Sequence, residues 1–257
     1  MQSWQLARVI TVLHHYPRRV MSAKEQRVAI ITGGSQGIGA GLVAAYRRQG
    51  WAVVANSRTI KPSGDPAVVT VDGDVSEPAT TDRIISEALE HFGRIDTLIN
   101  NAGVFLPKPF TDYTAEDYAS VVGVNLTGFF ILTQRTITEM LKRNGGHVVN
   151  ITTTLVDYAN SSVPSVLTSL TKGGLASATR SLAIEYASRG IRVNAVSPGA
   201  IQTPMNAPET YTARAALQPL GRMGQIDDIV AGILFLESSP FITGEILHID
   251  GGQIAGH

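Results

Sequence analysis

The chain has 257 residues, 21 Lys and Arg against 21 Asp and Glu, and no cysteine. The balanced charge argues against a nucleic-acid-binding surface, and the missing cysteine excludes disulfides and thiolate metal sites. No apolar run reaches the roughly 18 residues of a membrane span, and the length fits one α/β domain. We therefore expect a cytoplasmic protein that binds small molecules and holds no metal.

The first residues differ in composition from the rest. Residues 1–20 contain several arginines and histidines and no acid, which is typical of a transit presequence or of a leader without a role in the fold. We favour the leader, because Met21 begins a segment typical of a natural start just before the first predicted strand. Residues 1–25 are therefore an extension of uncertain role, and residues 26–257 are one Rossmann-type domain.

Short apolar runs alternate with helical patterns over the rest of the chain. The runs are rich in Val and Ile and predict parallel strands, and the alternation predicts a single-domain, doubly wound, Rossmann-like α/β sheet. The predicted strands span residues 28–31, 51–55, 68–71, 97–100, 147–151, 191–196 and 245–249. The predicted helices span residues 38–48, 80–92, 115–142, 165–189 and 227–236. Ligands bind such sheets beyond the carboxyl ends of the strands, so we expect the loops that follow the strands to line one cleft.

A glycine-rich turn at residues 32–39 lies between the first predicted strand and the first predicted helix. Glycines let the backbone turn sharply and approach a pyrophosphate, which the N-terminus of the helix stabilises. The strand-turn-helix context favours a dinucleotide loop over a plain turn. The candidate binding residues are Gly33, Ser35, Gln36, Gly37, Ile38 and Gly39.

The end of the second predicted strand indicates which dinucleotide is bound. An acid there would bind the ribose 2′-hydroxyl of NAD, but this chain has Asn56, Ser57 and Arg58. A hydroxyl and a guanidinium suit a 2′-phosphate, which arginine grips with two hydrogen bonds. We therefore expect NADP(H); the alternative is that Arg58 is only a solvated loop charge, and tighter binding of NADH than of NADPH would contradict the preference.

Several motifs occur in an order and spacing that resemble one enzyme family. The chain is similar to the short-chain dehydrogenases/reductases from about residue 26 to its C-terminus. The motifs are T-G-x-x-x-G-I-G at 32–39, N-N-A-G at 100–103, V-N-L at 124–126, the P-G turn at 198–205, and Gly244 with D-G-G at 250–252.

The resemblance implies roles and partners beyond the glycine loop. It implies that Asp74 and Val75 frame the adenine, that Asn101 and Lys172 lie near the ribose, and that Pro198, Ile201 and Thr203 hold the nicotinamide. It also implies a homotetramer or homodimer, formed through the two long helices and the C-terminal strand. The apolar residues 129–132 fit such an interface and fit packing on the sheet equally well.

The same resemblance implies a Ser-Tyr-Lys catalytic group supported by Asn, and here the chain departs from the family. It keeps Asn125 and Lys172. Thr153 falls in the serine position, with Thr154 as the alternative, and keeps a hydroxyl that orients the substrate. Thr168, four residues before Lys172, falls in the tyrosine position.

Threonine is a poor substitute for the phenol as a proton donor. A phenol has a pKa of about 10, whereas an alkyl hydroxyl lies near the value of water, about 15 to 16. The difference corresponds to roughly 7 kcal/mol of driving force for proton transfer. The side chain is also too short, so Thr168 meets neither requirement of general acid catalysis, reach and a matched pKa.

Three other groups are candidate proton donors. Tyr158 lies in the loop after Thr153, Lys172 can donate directly or through a water, and Asp157 can serve with a raised pKa. For Tyr158 and Asp157 an ordinary loop role is the alternative. The favoured function is therefore an NADP(H)-dependent oxidoreductase with a non-standard proton donor, acting on a small or medium carbonyl, alcohol, imine or quinone-like substrate. The second hypothesis is a nucleotide-binding protein with little turnover, such as a sensor or partner subunit.

The segment at 205–220 is predicted to cover the substrate. Together with Phe105, Leu106 and Val156, its residues Tyr211 and Arg214 are expected to line a moderately apolar pocket. The shortness of this segment argues against very large substrates.

Overall fold

The computed structural model describes residues 26–256, so the extension at residues 1–25 lies outside the described residues. The sheet has seven strands in the order β3-β2-β1-β4-β5-β6-β7, and every pair is parallel. This confirms the doubly wound Rossmann-like fold. The strands are β1 (Val28–Thr32), β2 (Ala52–Ser57), β3 (Val68–Asp72), β4 (Thr97–Asn100), β5 (Gly146–Ile151), β6 (Ile191–Pro198) and β7 (Ile246–Ile249).

Helices cover both faces of the sheet, which explains why the strands are apolar runs and do not alternate with polar residues. In β1, Val28 and Ile30 pack into one core, and Ala29 and Ile31 pack into the other. Helices α2, α4 and α5 contribute to the first core, and α1 and α7 to the second. The helices are α1 (Gly37–Arg48), α2 (Pro78–Phe92), α3 (Ala115–Val122), α4 (Phe129–Leu141), α5 (Val166–Tyr186), α6 (Tyr211–Ala215) and α7 (Ile226–Ser238).

The predicted helix at 115–142 is not one regular helix. A π-helical segment, Gly123–Gly128, separates α3 from α4 and carries Asn125. A β-carbon on Gly128 would lie 2.8 Å from Val75 Cγ1, so the glycine allows the segment to pack against the loop after β3. The apolar pattern is similar in α3, the π-helical segment and α4, so it does not reveal the change in winding. A π-helical turn within a helix often marks a functional position.

The order of the strands reverses beside β1, since the chain runs outward to β2 and β3 and then returns to β4 on the other side. This switch point opens a crevice at the carboxyl ends of the strands, where ligands bind in sheets of this type. Within residues 26–256, no helix combines the length and the apolar character that crossing a membrane requires.

Candidate active site

A cleft of about 430 Å³ lies along the carboxyl ends of the strands, as the fold predicts. Most of the residues predicted from the sequence line it. They are Gly33, Ser35, Gln36, Gly37, Ile38, Ser57, Arg58, Asp74, Val75, Asn101, Thr153, Thr168, Lys172, Pro198, Ile201 and Thr203. Of the predicted dinucleotide-binding residues and catalytic candidates, Gly39, Asn125, Asp157 and Tyr158 do not line the cleft.

The glycine loop leaves the N-terminus of α1 open toward the cleft. Gly33 and Gly37 have φ angles of +67° and +57°, a conformation that residues with a β-carbon rarely adopt. The N-cap residue Gln36 makes no side-chain hydrogen bond to the first turn, so the side chain leaves these N–H groups unpaired. An unpaired helix N-terminus next to a tight glycine turn fits a phosphate group.

Gly39 supports this loop from behind. A β-carbon at Gly39 would lie 2.1 Å from the carbonyl oxygen of Gly33 and 2.7 Å from Asn101 Nδ2. The same Asn101 amide donates to the carbonyl oxygen of Thr32 at 2.8 Å and to that of Gly33 at 3.3 Å. The structure therefore gives Gly39 a packing position and gives Asn101 a place both in the loop and in the cleft wall.

The end of β2 carries no acid toward the cleft. Ser57 and Arg58 line it, and the exposed Arg58 forms no ion pair with any residue in the described part of the chain. Asp72 lies opposite Ser57 in the strand register, but it pairs with Arg83 at 3.3 Å and is not part of the lining. The Arg58 guanidinium therefore has no acidic partner within residues 26–256, and it lies where the sequence predicts the ribose 2′-phosphate of NADP(H).

Among residues 26–256, Asp74 in the loop after β3 is the single acid that lines the cleft. Its Oδ1 accepts hydrogen bonds from Ser76 N at 2.9 Å and from Ser76 Oγ at 2.7 Å. These bonds fix the carboxylate in the turn beside Val75.

The buried lysine of α5 lines the same cleft as Arg58. Lys172 Nζ donates to the carbonyl oxygen of Ile151 at 2.7 Å. A β-carbon on Gly103 would lie 3.1 Å from this nitrogen, so the glycine of the N-N-A-G motif makes room for the amine. Burial lowers the pKa of Lys172 to about 8, because the charged ammonium loses hydration.

Thr168 lies one turn before Lys172 and is 3% exposed. Its Oγ1 is buried and has no hydrogen-bond partner among the described residues. A buried hydroxyl without a partner costs stability, because it loses its bonds to water. The hydroxyl thus lies in the wall of the cleft without the contacts that a proton relay needs.

Both threonines considered for the serine position line the cleft. Thr153 Oγ1 makes one long contact, accepting from Leu155 N at 3.4 Å. Thr154 Oγ1 is buried and donates to Gln253 Oε1 at 3.1 Å. The Thr153 hydroxyl is therefore the less engaged of the two and the more available to a ligand.

Asn125 holds the wall behind Lys172. Its Oδ1 accepts from Val104 N at 2.8 Å, and its Nδ2 donates to Val104 O at 3.0 Å and to Thr171 Oγ1 at 3.1 Å. The residue is 1% exposed, so its side chain ties the loop after β4 to α5. In this position the amide shapes the site without lining it.

The other two candidate proton donors lie outside the cleft lining. Asp157 Oδ2 pairs with His248 Nε2 at 3.2 Å, close to solvent. Tyr158 follows it, and its backbone N–H donates to the carbonyl oxygen of Thr154 at 2.8 Å. The structure does not bring either side chain to the cleft around Lys172.

The substrate end of the cleft is partly apolar. Of the predicted pocket residues, Phe105 and Arg214 line the cleft, whereas Leu106, Val156 and Tyr211 do not. Leu155, Val163 and Gln253 also line this wall and were not predicted, whereas Met205, Leu217 and Gln218 lie in the segment at 205–220 that was predicted to cover the substrate. The position of Gln253 directly after the D-G-G motif was the only available signal for that residue.

Relatives of known activity match nearly the whole described domain. The family model described as Enoyl-(Acyl carrier protein) reductase matches residues 33–253. The 3-oxoacyl-[acyl-carrier-protein] reductase of Synechocystis sp. is 34% identical over 249 residues, which cover 91% of this chain and 99% of that protein.

Two solved structures with bound nucleotides share the fold. ElxO with NADP bound has a TM-score of 0.84 and 28% identity, covering 90% of this chain and 100% of that one. The 3-ketoacyl-(acyl-carrier-protein) reductase from Brucella melitensis, complexed with NADH, has a TM-score of 0.83 and 30% identity, covering 91% and 100%. Proteins similar to this chain therefore bind nicotinamide dinucleotides with or without the 2′-phosphate.

Proposed function

The chain belongs to the short-chain dehydrogenase/reductase family, and from that premise we propose an NADP(H)-dependent oxidoreductase. It acts by hydride transfer on a small or medium-sized carbonyl or alcohol, with Lys172 in place of a phenol as the proton donor. One observation carries the proposal. A single cleft joins an open glycine loop to a buried lysine amine.

The choice of NADP(H) rests on the end of β2. Ser57 offers a hydroxyl, and Arg58 offers a guanidinium that makes no ion pair within residues 26–256. Replacing Arg58 by leucine is expected to weaken NADPH binding about tenfold and to leave NADH binding unchanged. The two dissociation constants, measured by fluorescence titration, check this. Equal losses for both dinucleotides would contradict the assignment.

Lys172 is assigned as the proton donor by comparison with the other ionisable residues that line the cleft, which are Arg58, Asp74 and Arg214. Arginine stays protonated in proteins and cannot give up its proton. Asp74 is bound to Ser76 in the loop after β3. Lys172 binds the carbonyl of Ile151 at the end of β5. Thr153, whose hydroxyl is available to a substrate, follows two residues later and lines the same cleft.

The reaction needs a hydride and a proton, and the dinucleotide, when bound, supplies the hydride to the carbonyl carbon. Thr153 donates a hydrogen bond that orients the substrate oxygen. The Lys172 ammonium gives its proton to that oxygen, directly or through one water, and the neutral amine then takes a proton from solvent. A pKa of about 8 makes this lysine a far better acid near neutral pH than an ordinary lysine.

The test is NADPH oxidation by the wild-type protein across a panel of ketones, aldehydes, quinones and cyclic imines. Lys172→Ala and Thr168→Tyr are assayed beside it. Turnover that is lost in Lys172→Ala and retained in wild type supports the proposal. A wild type that binds NADPH without turning over any compound, together with an active Thr168→Tyr, would favour a nucleotide-binding protein that lacks only the phenol.

A further inference from the structure

Three buried polar side chains form a wall at the substrate end of the cleft. This polar wall consists of Thr154, Gln218 and Gln253, all of which line the cleft and are at most 4% exposed. Gln253 Oε1 accepts from Thr154 Oγ1 at 3.1 Å and from Gln218 Nε2 at 3.1 Å. Gly199 makes room for the Gln218 amide, because a β-carbon at this position would clash with Gln218 Oε1.

The polar wall contains hydrogen-bond donors that are not used within the protein. The two bonds received by Gln253 Oε1 occupy both lone pairs of that oxygen and orient the amide. The Nε2 of Gln253 makes no hydrogen bond to any residue from 26 to 256, and it is not one of the fully enclosed atoms without a partner. Its two N–H groups are therefore donors available to a ligand in the cleft.

A guanidinium lines the same cleft as this wall. Arg214 lines the cleft four residues before Gln218, and the intervening turns are helical. Its Nε donates to Thr210 Oγ1 at 3.0 Å, which leaves its terminal nitrogens without an acidic partner in the described part of the chain. The acid of the cleft lining, Asp74, belongs to the loop after β3 and is bound to Ser76.

We propose that Gln253 and Arg214 bind a carboxylate of the substrate, so that the enzyme acts on an oxo acid or the matching hydroxy acid. The proposal rests on the oxidoreductase function proposed above. The Gln253 amide and the Arg214 guanidinium both offer donors, whereas the free amide oxygen of Gln218 lies against Gly199 and Gly251. A guanidinium with an amide suits a planar acceptor with two oxygens. Apolar side chains, including Leu155, Val163 and Leu217, line the same end of the cleft and suit the carbon chain between the carboxylate and the reacting carbonyl.

The experiment compares oxo acids with their neutral amides. The wild-type protein is assayed with NADPH and with 4-oxopentanoate, 5-oxohexanoate and 6-oxoheptanoate, each beside its primary amide. Dihydroxyacetone phosphate is added to test a phosphate in place of the carboxylate. Arg214→Gln and Gln253→Met are assayed with the same compounds. Arg222→Gln is the control, because Arg222 pairs with Asp228 at 3.1 Å and does not line the cleft.

The best oxo acid is expected to exceed its amide about tenfold in kcat/KM, mainly through KM, since an interaction of this type contributes about 1.4 kcal/mol or more. Arg214→Gln is expected to reduce that ratio to about one, whereas Arg222→Gln keeps it. Amides used as well as acids would overturn the carboxylate site and leave the oxidoreductase function intact. A preference for dihydroxyacetone phosphate over every oxo acid would also overturn the carboxylate site.

A binding measurement separates failure of this site from failure of the proposed function. Calorimetric titration of 4-oxopentanoate into protein saturated with NADP⁺ requires no turnover. Saturable binding that Arg214→Gln weakens supports the site even if no reduction is seen. Absence of binding by every oxo acid, in protein that binds NADP⁺, would overturn it.

Discussion

Two polar clusters lie at opposite ends of the same sheet, and they differ in how completely their hydrogen bonds are made. At the amino ends of β4 and β5, Glu237 Oε2 accepts from Thr97 Oγ1 at 2.9 Å, from Tyr46 OH at 3.1 Å and from His147 Nδ1 at 3.1 Å. At the carboxyl ends, the open cluster consists of Thr153, Thr168 and Lys172. Its Thr168 Oγ1 has no partner within the described residues, and its Thr153 Oγ1 makes one long contact. The closed cluster stabilises the fold, whereas the open cluster has polar groups available to bind a ligand.

The closed cluster also fixes the protonation of its histidine. His147 Nε2 faces the donor groups Asn194 Nδ2 at 3.1 Å and Arg192 at 3.4 Å, so Nε2 accepts and Nδ1 carries the proton toward Glu237. Burial lowers the pKa of the His147 imidazole, which agrees with a neutral ring. Lys172 is the corresponding buried base of the cleft, but it is charged through most of the neutral range because its pKa is about 8.

The largest expected effect comes from removing the amine of the open cluster. Lys172→Met keeps the length of the side chain and removes the proposed proton donor, so kcat is expected to fall about a thousandfold. The free energy of unfolding is expected to change little or to rise, because a charged group leaves a buried position. Steady-state kinetics and urea denaturation measure the two quantities. Retained kcat would show that the proton comes from elsewhere.

The opposite pattern is expected for the closed cluster. Glu237→Gln removes the carboxylate that three donors share, and the free energy of unfolding is expected to fall by about 3 kcal/mol. The kcat of the remaining folded protein is expected to stay unchanged, since the cluster lies at the far edge of the sheet. Glu87→Gln is the matched control, because its pair with His91 is solvent-exposed and contributes less than about 1 kcal/mol. Equal losses in both variants would contradict the comparison.

The smallest expected effect comes from the unpaired hydroxyl itself. Thr168→Val replaces it by a methyl group of similar volume, and the free energy of unfolding is expected to rise by about 1 kcal/mol. The turnover rate is expected to change by less than about threefold, because a buried alcohol is too weak an acid to donate the proton. A loss of stability would mean that the hydroxyl has a partner, such as a bound water.

The strand positions could be predicted because apolar runs in a sheet covered on both faces follow from burial alone, as in β1 and β4. The glycine loop could also be found, since φ angles above zero restrict the residue type at Gly33 and Gly37. The π-helical segment around Asn125 was not predicted, because the apolar pattern at 115–142 does not distinguish it from a continuous α-helix.

The hydrogen bonds at the substrate end of the cleft could not be predicted from the sequence, because they depend on tertiary contacts. Gln218 and Gln253 are far apart in sequence and meet only because the segment after β6 folds onto the turn after β7. The sequence likewise favoured no single candidate among Tyr158, Asp157 and Lys172. The structure distinguishes them, because Lys172 lines the cleft and neither Asp157 nor Tyr158 does.

The most direct test of the central claim is the pH dependence of kcat in both directions. If Lys172 is the acid, reduction needs the ammonium, so kcat for reduction is expected to hold below pH 8 and to fall above it. Oxidation needs the neutral amine and is expected to rise through the same range. A reduction rate that stays level well above pH 8, or two directions with the same profile, would contradict the assignment of Lys172 as the proton donor.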